Sequence, residues 1–385
     1  MIIHGNRIWI GGGFLSGCIE TENGKIRRFF RGSAEEADLD YGDRRILPGF
    51  IDIHTHGGYG FDVNSASPEG LKRWKRKLPE EGVTAFLATT VTAYREELTA
   101  ALKNAAAVWK EKTPGAELLG VHLEGPYIDQ KYHGAQPIGA VVKPDAEAFR
   151  EYQEAAEGLI KVVTVAPEHD EDYRFIRSCA EQGVVVSMGH SGATMEEAAL
   201  GIANGAKSVT HTFNGMSGFG HRANGMLGAA LRYDSLYAEV IGDCNHSTPE
   251  ALNLFFRAKG RDRAILISDS LVCKGYPVGA KLLFAGLDVE IYPDGSAHLP
   301  DGTFAGSTLK INEGLRNLTE RALVPFESAV NACTVNPAAL LGCADHLGRI
   351  AAGYDADLAV LEDDYSVAET FCKGIPQLHP AGGNS

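Results

Sequence analysis

The chain has 385 residues, is 44% hydrophobic and carries a formal net charge of −14. That length suits one large domain plus a small one, and an acidic balance without any block of Lys or Arg argues against nucleic-acid or anionic-membrane partners. Seven scattered cysteines without C-x-x-C spacing, no apolar run near the ~18 residues of a membrane span and no signal-peptide pattern lead to the expectation of a soluble, cytoplasmic protein.

In chain order, residues 1–47 are short strand-like runs around Asn23-Gly24, a dipeptide suited to a tight hairpin turn. From residue 50, short apolar, β-branched runs alternate with longer helical patterns. Strands are predicted at 50–54, 83–88, 118–123, 161–165, 184–188, 208–211, 237–241 and 264–268, and such near-continuous apolar runs suit parallel strands buried on both faces. A helix is predicted over 95–112, where Leu98, Ala101, Leu102, Ala105, Val108 and Trp109 keep helical spacing. Tyr173, Ile176 and Ala180 predict another over 171–181. Thr194 with Glu197 reads as a capping box, and Pro249 as a first-turn proline behind the cap Thr248. Residues 275–305, turning at Pro293-Asp294-Gly295, read as a hairpin excursion after the eighth strand, and 356–361 as a further strand. Eight strand-then-helix units predict an α/β fold, a (β/α)8 TIM barrel over 48–345, with a small β-sandwich domain assembled from both termini, 1–47 plus 346–385. A doubly wound open sheet has the same alternation, which by itself does not separate the two.

The strand ends carry the chemistry. His54 and His56 are two apart at the end of the first strand, so both leave one face, and Gly57-Gly58 behind them allows close backbone approach. Glu124 ends the third strand, where a carboxylate serves as ligand, general base or salt-bridge partner; His122, two residues earlier, reads as a hydrogen-bonded core residue. His190 closes the fifth strand and His211 the sixth. Asp269 ends the eighth strand, just past a run that should be fully buried, and a buried carboxylate there needs a cation or a proton-transfer role. Barrels of this kind keep their active sites at the C-terminal mouth, which makes His54, His56, Glu124, His190 and His211 one metal-holding set. Imidazole and carboxylate without thiolate suit zinc, iron, manganese or cobalt at a catalytic site. The set exceeds the needs of one open tetrahedral ion, so it can hold one divalent ion or two that share Glu124.

The runs LPGFIDIHTHG, HLEGP, GHS, HTFNGM and SD, with NPAALLG and GRIAAGYDADLAVL near the end, resemble the amidohydrolase superfamily over essentially the whole chain. Within it they resemble most the N-acetylglucosamine-6-phosphate deacetylases; HTH and GRIAAGYDADLAVL are superfamily-wide, whereas HLEGP with HTFNGM and His221-Arg222 is much more specific to the deacetylases. The resemblance implies a metal-dependent hydrolase that removes the acetyl group of N-acetylglucosamine 6-phosphate and works as a homodimer. It implies Glu124, His190 and His211 on the catalytic ion, His54 and His56 completing a second site, and Asp269 as the catalytic acid–base group. Contacts to the phosphorylated amino sugar fall, by the same resemblance, on Ala135, Asn214, Gly215, Arg222, His246, Phe304, Ala305 and Gly306, with Arg222 reaching a neighbour's site.

Three departures from the family pattern bear on sugar and phosphate recognition more than on hydrolysis. Gln136 stands where the family usually has a His that orients or polarises the acetamide. The loop Asp243-Cys244-Asn245-His246 lacks the family's glycine after the Asp, and Ala223-Asn224-Gly225 replaces an acidic residue, Pro and Gly after Arg222. A cyclic amidase, the nearest rival, would recruit a modified lysine at the fourth strand end, where this chain has Ala166-Pro167-Glu168. A barrel retained only as a binding scaffold would have lost ligands, and none of the set is missing.

Overall fold

Eight parallel strands pair in chain order: Phe50–Thr55, Val83–Thr90, Glu117–Glu124, Ile160–Val165, Val185–Met188, Ala206–Val209, Tyr237–Ile241 and Ala264–Ile267. They belong to a computed structural model that describes residues 1–378; residues 379–385, assigned above to the small β domain, lie outside the described residues. Strand eight returns to strand one just past their ends. There the Asp269 N–H donates to the His54 carbonyl at 2.9 Å and the His56 N–H to the Ser270 carbonyl at 2.9 Å. One layer down, the buried Asp52 carboxylate accepts the Ser268 hydroxyl at 2.5 Å. The sheet is therefore a barrel, and the open doubly wound alternative does not apply.

Alternate residues along the strands fall into two buried clusters, as strand periodicity requires. Leu87, Val162, Val185, Ile241 and Ile267 fill the barrel interior. Phe86, Val163, Val186, Val240 and Leu266 face outward onto helix residues such as Leu102, Phe175 and Phe255. Burying side chains of this size contributes ~1.5–3 kcal/mol each, which fixes strand register and hence which residues reach the mouth. The register with strand two slips between Asp52 and Thr55, so strand one bends just where His54 sits.

The helices form where the spacing predicts and stop for local reasons. Arg95–Glu111 buries Leu98, Ala101, Leu102, Ala105 and Val108 and ends because Lys112 turns left-handed, while Trp109 lies at the rim of that stripe. Arg174–Glu181 begins three residues later than the pattern suggests, because Asp172 and Tyr173 are both left-handed (φ 53° and 55°). Thr194 and Glu197 form the expected reciprocal capping box, and the Thr248 hydroxyl caps Pro249–Lys259. After strand eight the excursion is three short antiparallel strands, Lys281–Phe284, Leu287–Ile291 and Ala297–His298.

Both termini share one further sheet. Its order is Ile375–Pro376, Val367–Cys372, Leu358–Leu361, Arg45–Pro48, Ile2–Trp9, Phe14–Glu22 and Lys25–Phe30, with Leu39–Asp40 beside Ile2–Trp9. Asn23 and Gly24 both have positive φ (50° and 78°), the turn that the dipeptide predicts. Ile3, Ile19, Ile26, Ile46, Leu358 and Phe371 form the core of this sheet. Only Gly49 separates Arg45–Pro48 from the first barrel strand, so the terminal sheet is tied directly to the barrel.

Candidate metal centre

Glu124 is the last residue of strand three and His54 lies within strand one, as the spacing predicts. His190, His211 and Asp269 differ: each stands two residues beyond its strand. Each also has a left-handed backbone, with φ of 46°, 25° and 50°. That conformation costs a non-glycine residue ~1–2 kcal/mol, and here it takes the chain out of the ladder while turning the side chain over the mouth. Two glycines make room. A Cβ on Gly57 would sit 2.1 Å from the Phe61 carbonyl oxygen, and one on Gly215 would sit 2.9 Å from His190 Nδ1.

The result is two groups that meet at Glu124. Its Oε1 lies 3.0 Å from His211 Nε2 and 3.3 Å from both His190 Nε2 and His54 Nε2. Its Oε2 lies 3.2 Å from His56 Nε2. Asp269 Oδ1 is 3.1 Å from His56 Nε2 and 3.4 Å from His54 Nε2. Glu124, His190 and His211 form one group that could hold an ion, and His54, His56 and Asp269 a second.

Three imidazoles donate Nδ1–H to fixed oxygens: His54 to Glu239 at 2.9 Å, His56 to the Thr89 carbonyl at 3.2 Å and His190 to the Tyr132 carbonyl at 2.6 Å. Each Nε2 is thereby turned toward the carboxylates, where it can take either a proton or an ion, the usual support for a metal-bound histidine. His190 Nε2 and His211 Nε2 stand 3.0 Å apart, a separation at which two lone pairs repel unless a proton or an ion lies near both. The buried His54 Nε2 has no hydrogen bond among the described residues. The donor set is nitrogen and oxygen throughout, so these residues fit a divalent transition ion.

Charge within the cluster outweighs burial. Burial pushes the Asp269 carboxyl up, but His54 and His56 pull it further down, to about 2. Glu124 is likewise pushed up by burial and carried well below the carboxylate range by His54, His190 and His211. For His56 burial acts downward, yet Asp269 and Glu124 raise it to about 9. His122, hydrogen-bonded to Thr164 at 2.8 Å and the Ile53 carbonyl at 3.3 Å, is driven well down by burial and by the neighbouring His54.

A cavity of about 200 Å³ opens above the cluster. Ala135, Gln136, Asn214, Gly215, His246, Phe304 and Gly306 line it together with His56, Glu124, His190, His211 and Asp269. Ala305 does not; it is buried beneath, in the core of the excursion. Arg222 also does not line it and lies in the exposed segment 221–224. Gln136 Oε1 accepts both the Thr92 N–H, at 2.8 Å, and the Thr92 hydroxyl, so its Nε2 must face inward, 2.7 Å from Glu124 Oε2. The His246 ring lies tilted against Phe304, 4.7 Å between centroids, and pairs with Asp243 at 2.6 Å. Burial lowers the His246 pKa, but the Asp243 hydrogen bond and charge leave it raised overall. Cys244, at the position of the absent glycine, adopts φ 62°, while Asp243 Oδ1 holds the next two N–H groups at 2.9 Å.

Sequence reasoning missed two supporting carboxylates. Glu239 is a lone charge in the apolar strand Tyr237–Ile241, a signal of the kind that singled out Asp269. Glu168, three residues past the end of strand four, holds the loop after His190 through the Ser191 hydroxyl at 2.7 Å and the Gly192 N–H at 2.5 Å. Its short-range sequence context carries no such signal.

Residues 45–375 match the amidohydrolase family. The chain is 43% identical over 336 residues to the N-acetylglucosamine-6-phosphate deacetylase of Bacillus subtilis, covering 86% of this chain and 84% of that one. It is 34% identical over 337 residues to an Escherichia coli N-acetylgalactosamine-6-phosphate deacetylase, with 86% of each covered. Among solved structures, an Asp-to-Ala mutant of the Mycobacterium smegmatis N-acetyl-D-glucosamine-6-phosphate deacetylase, in complex with N-acetyl-D-glucosamine-6-phosphate, superposes with a TM-score of 0.93 at 28% identity. That match covers 98% of this chain and 99% of the other.

Proposed function

The chain belongs to the amidohydrolase family, and within it we propose that it hydrolyses N-acetylglucosamine 6-phosphate to glucosamine 6-phosphate and acetate. The observation that carries this reading is the placement of Asp269 beside two joined ligand groups, under a cavity walled by the residues assigned to the sugar other than Arg222 and Ala305. We assign the ion-holding role to His54, His56, Glu124, His190 and His211, with zinc as the first choice and iron, manganese or cobalt as substitutes, and two ions sharing Glu124. A bound divalent ion supplies a Lewis acid and a water acidic enough to ionise near neutral pH.

The chain's own residues do the remaining work. Asp269, ionised at neutral pH, accepts the proton of the attacking water and orients it toward the acetyl carbonyl carbon. It then delivers that proton to the amide nitrogen, which departs only once protonated. Gln136, fixed by Thr92, presents a neutral N–H donor on the acetamide side, where the usual His would offer a charge. His246, kept cationic more readily by Asp243, and Asn214 meet the sugar phosphate and hydroxyls. Phe304 gives the sugar ring an apolar face.

Arg222 is assigned to a partner's site in a homodimer; its exposure, and that of Phe219 (61%) in the same loop, support that reading. We take 1–47 plus 346–378 as a small β domain and 48–345 as the catalytic unit. A cytoplasmic location is supported by seven free cysteines, and no helix of the described residues is long and apolar enough to cross a membrane.

The test is acetate release from a panel of N-acetyl sugars, with and without 6-phosphate, after loading with zinc, iron or manganese. N-acetylglucosamine 6-phosphate should give the highest kcat/KM. A preference for N-acetylgalactosamine 6-phosphate would move the chain to the other deacetylase type, and indifference to the phosphate would remove the roles of His246 and Arg222.

A further inference from the structure

Glu239 points into the barrel one layer below the mouth, in strand with Ile241, and is fully buried. Its Oε2 accepts two donors: the His211 backbone N–H at 3.2 Å and His54 Nδ1 at 2.9 Å. The backbone N–H donates, so Oε2 accepts from it, and the same oxygen holds His54 by Nδ1. That contact turns the opposite ring nitrogen, Nε2, toward Glu124 and Asp269, where it can take an ion whenever it carries no proton. The His122 ring also packs against the His54 ring, 4.6 Å between centroids and inclined at 72°.

Glu239 is not a ligand in this arrangement. Its bonded oxygen meets His54 on the Nδ1 edge, opposite the Nε2 that faces the carboxylates. The group of His54, His122 and Glu239 is no ion site either, because both His122 nitrogens are already hydrogen-bonded.

We infer that Glu239 is the positioning residue that fixes the tautomer and ring orientation of His54 and so decides whether the second ion is held. This rests on the two-ion reading proposed above.

The experiment uses the full chain, stripped by chelation and titrated with Co²⁺ alone, reading bound equivalents by equilibrium dialysis and the cobalt absorption bands. The wild type is expected to take two equivalents. In Glu239→Ala the second should bind about 10–100-fold more weakly, in the range expected for lost support of a ligating histidine. The first, on Glu124, His190 and His211, should stay within about threefold. Glu239→Gln keeps an acceptor oxygen and should fall between the two. Unchanged second-site affinity in both variants would overturn the inference, as would equal weakening of both equivalents. If Glu239→Ala does not fold, Glu239→Gln decides alone: a second equivalent several-fold weaker supports the role, and an unchanged one overturns it. A wild type that takes only one equivalent removes the two-ion reading itself, a different result from an unaffected variant.

Discussion

Lys274 and Glu81 are as deeply buried as the residues of the metal centre, but the two clusters are completed in different ways. Lys274 Nζ lies 2.8 Å and 3.0 Å from the two Glu81 oxygens, and the Tyr59 hydroxyl donates to the same carboxylate at 2.8 Å. One cation meets one anion and every strong donor has an acceptor. At the mouth, four imidazoles crowd two carboxylates, one Nε2 has no hydrogen bond among the described residues, and two others face each other at 3.0 Å. A buried ion pair that is complete holds a fold together. One that gathers surplus, convergent imidazole nitrogens at the end of a barrel is arranged for something the chain does not itself supply.

The sharpest way to break this comparison is at Asp269. Asp269→Asn removes the proton carrier and should lower kcat by about 10²–10⁴-fold, with metal content and melting temperature near the wild type. A variant that keeps most of its turnover ends the proton-transfer role. Lys274→Met should do the converse. Leaving Glu81 buried without its partner should remove about 3–5 kcal/mol of stability in urea unfolding, while activity per folded molecule is kept. Loss of activity without loss of stability would make the two clusters functionally alike.

A third expectation concerns the chelated protein. His56 has a folded pKa of about 9 against an ordinary value of 6.5. The stability it contributes is thus complete below about pH 6.5 and disappears as pH rises through about 9. The melting temperature of the stripped protein should fall across that window, and an ion that replaces the proton should flatten the profile. Parallel profiles for stripped and loaded protein would contradict it. Smallest of all, Cys244→Gly should relieve the left-handed backbone at φ 62° and raise stability by about 0.5–1 kcal/mol, with KM little changed.

Much of the fold was legible because parallel strands buried on both faces leave long apolar runs, and each run found its strand in the barrel. The boundaries were less so. Strand six lies at Ala206–Val209, not 208–211, since the departure of His211 from the ladder depends on a left-handed turn that no apolar pattern encodes. The ligand candidates were legible as polar residues at strand ends. Glu239 was not, because what identifies it is a contact with His54 that spans 185 positions of sequence. Gln136 was visible as a substitution, but the direction of its amide became readable only through Thr92.

The closure of the barrel has one more consequence. The amide hydrogens of His56 and Asp269 are among those that join strand eight to strand one. Either can trade with solvent deuterium only when that seam parts, and the parting pulls Asp269 away from His54 in the same motion. Slow exchange at these two positions would therefore be a direct clock for how often the catalytic arrangement comes undone, readable without any substrate.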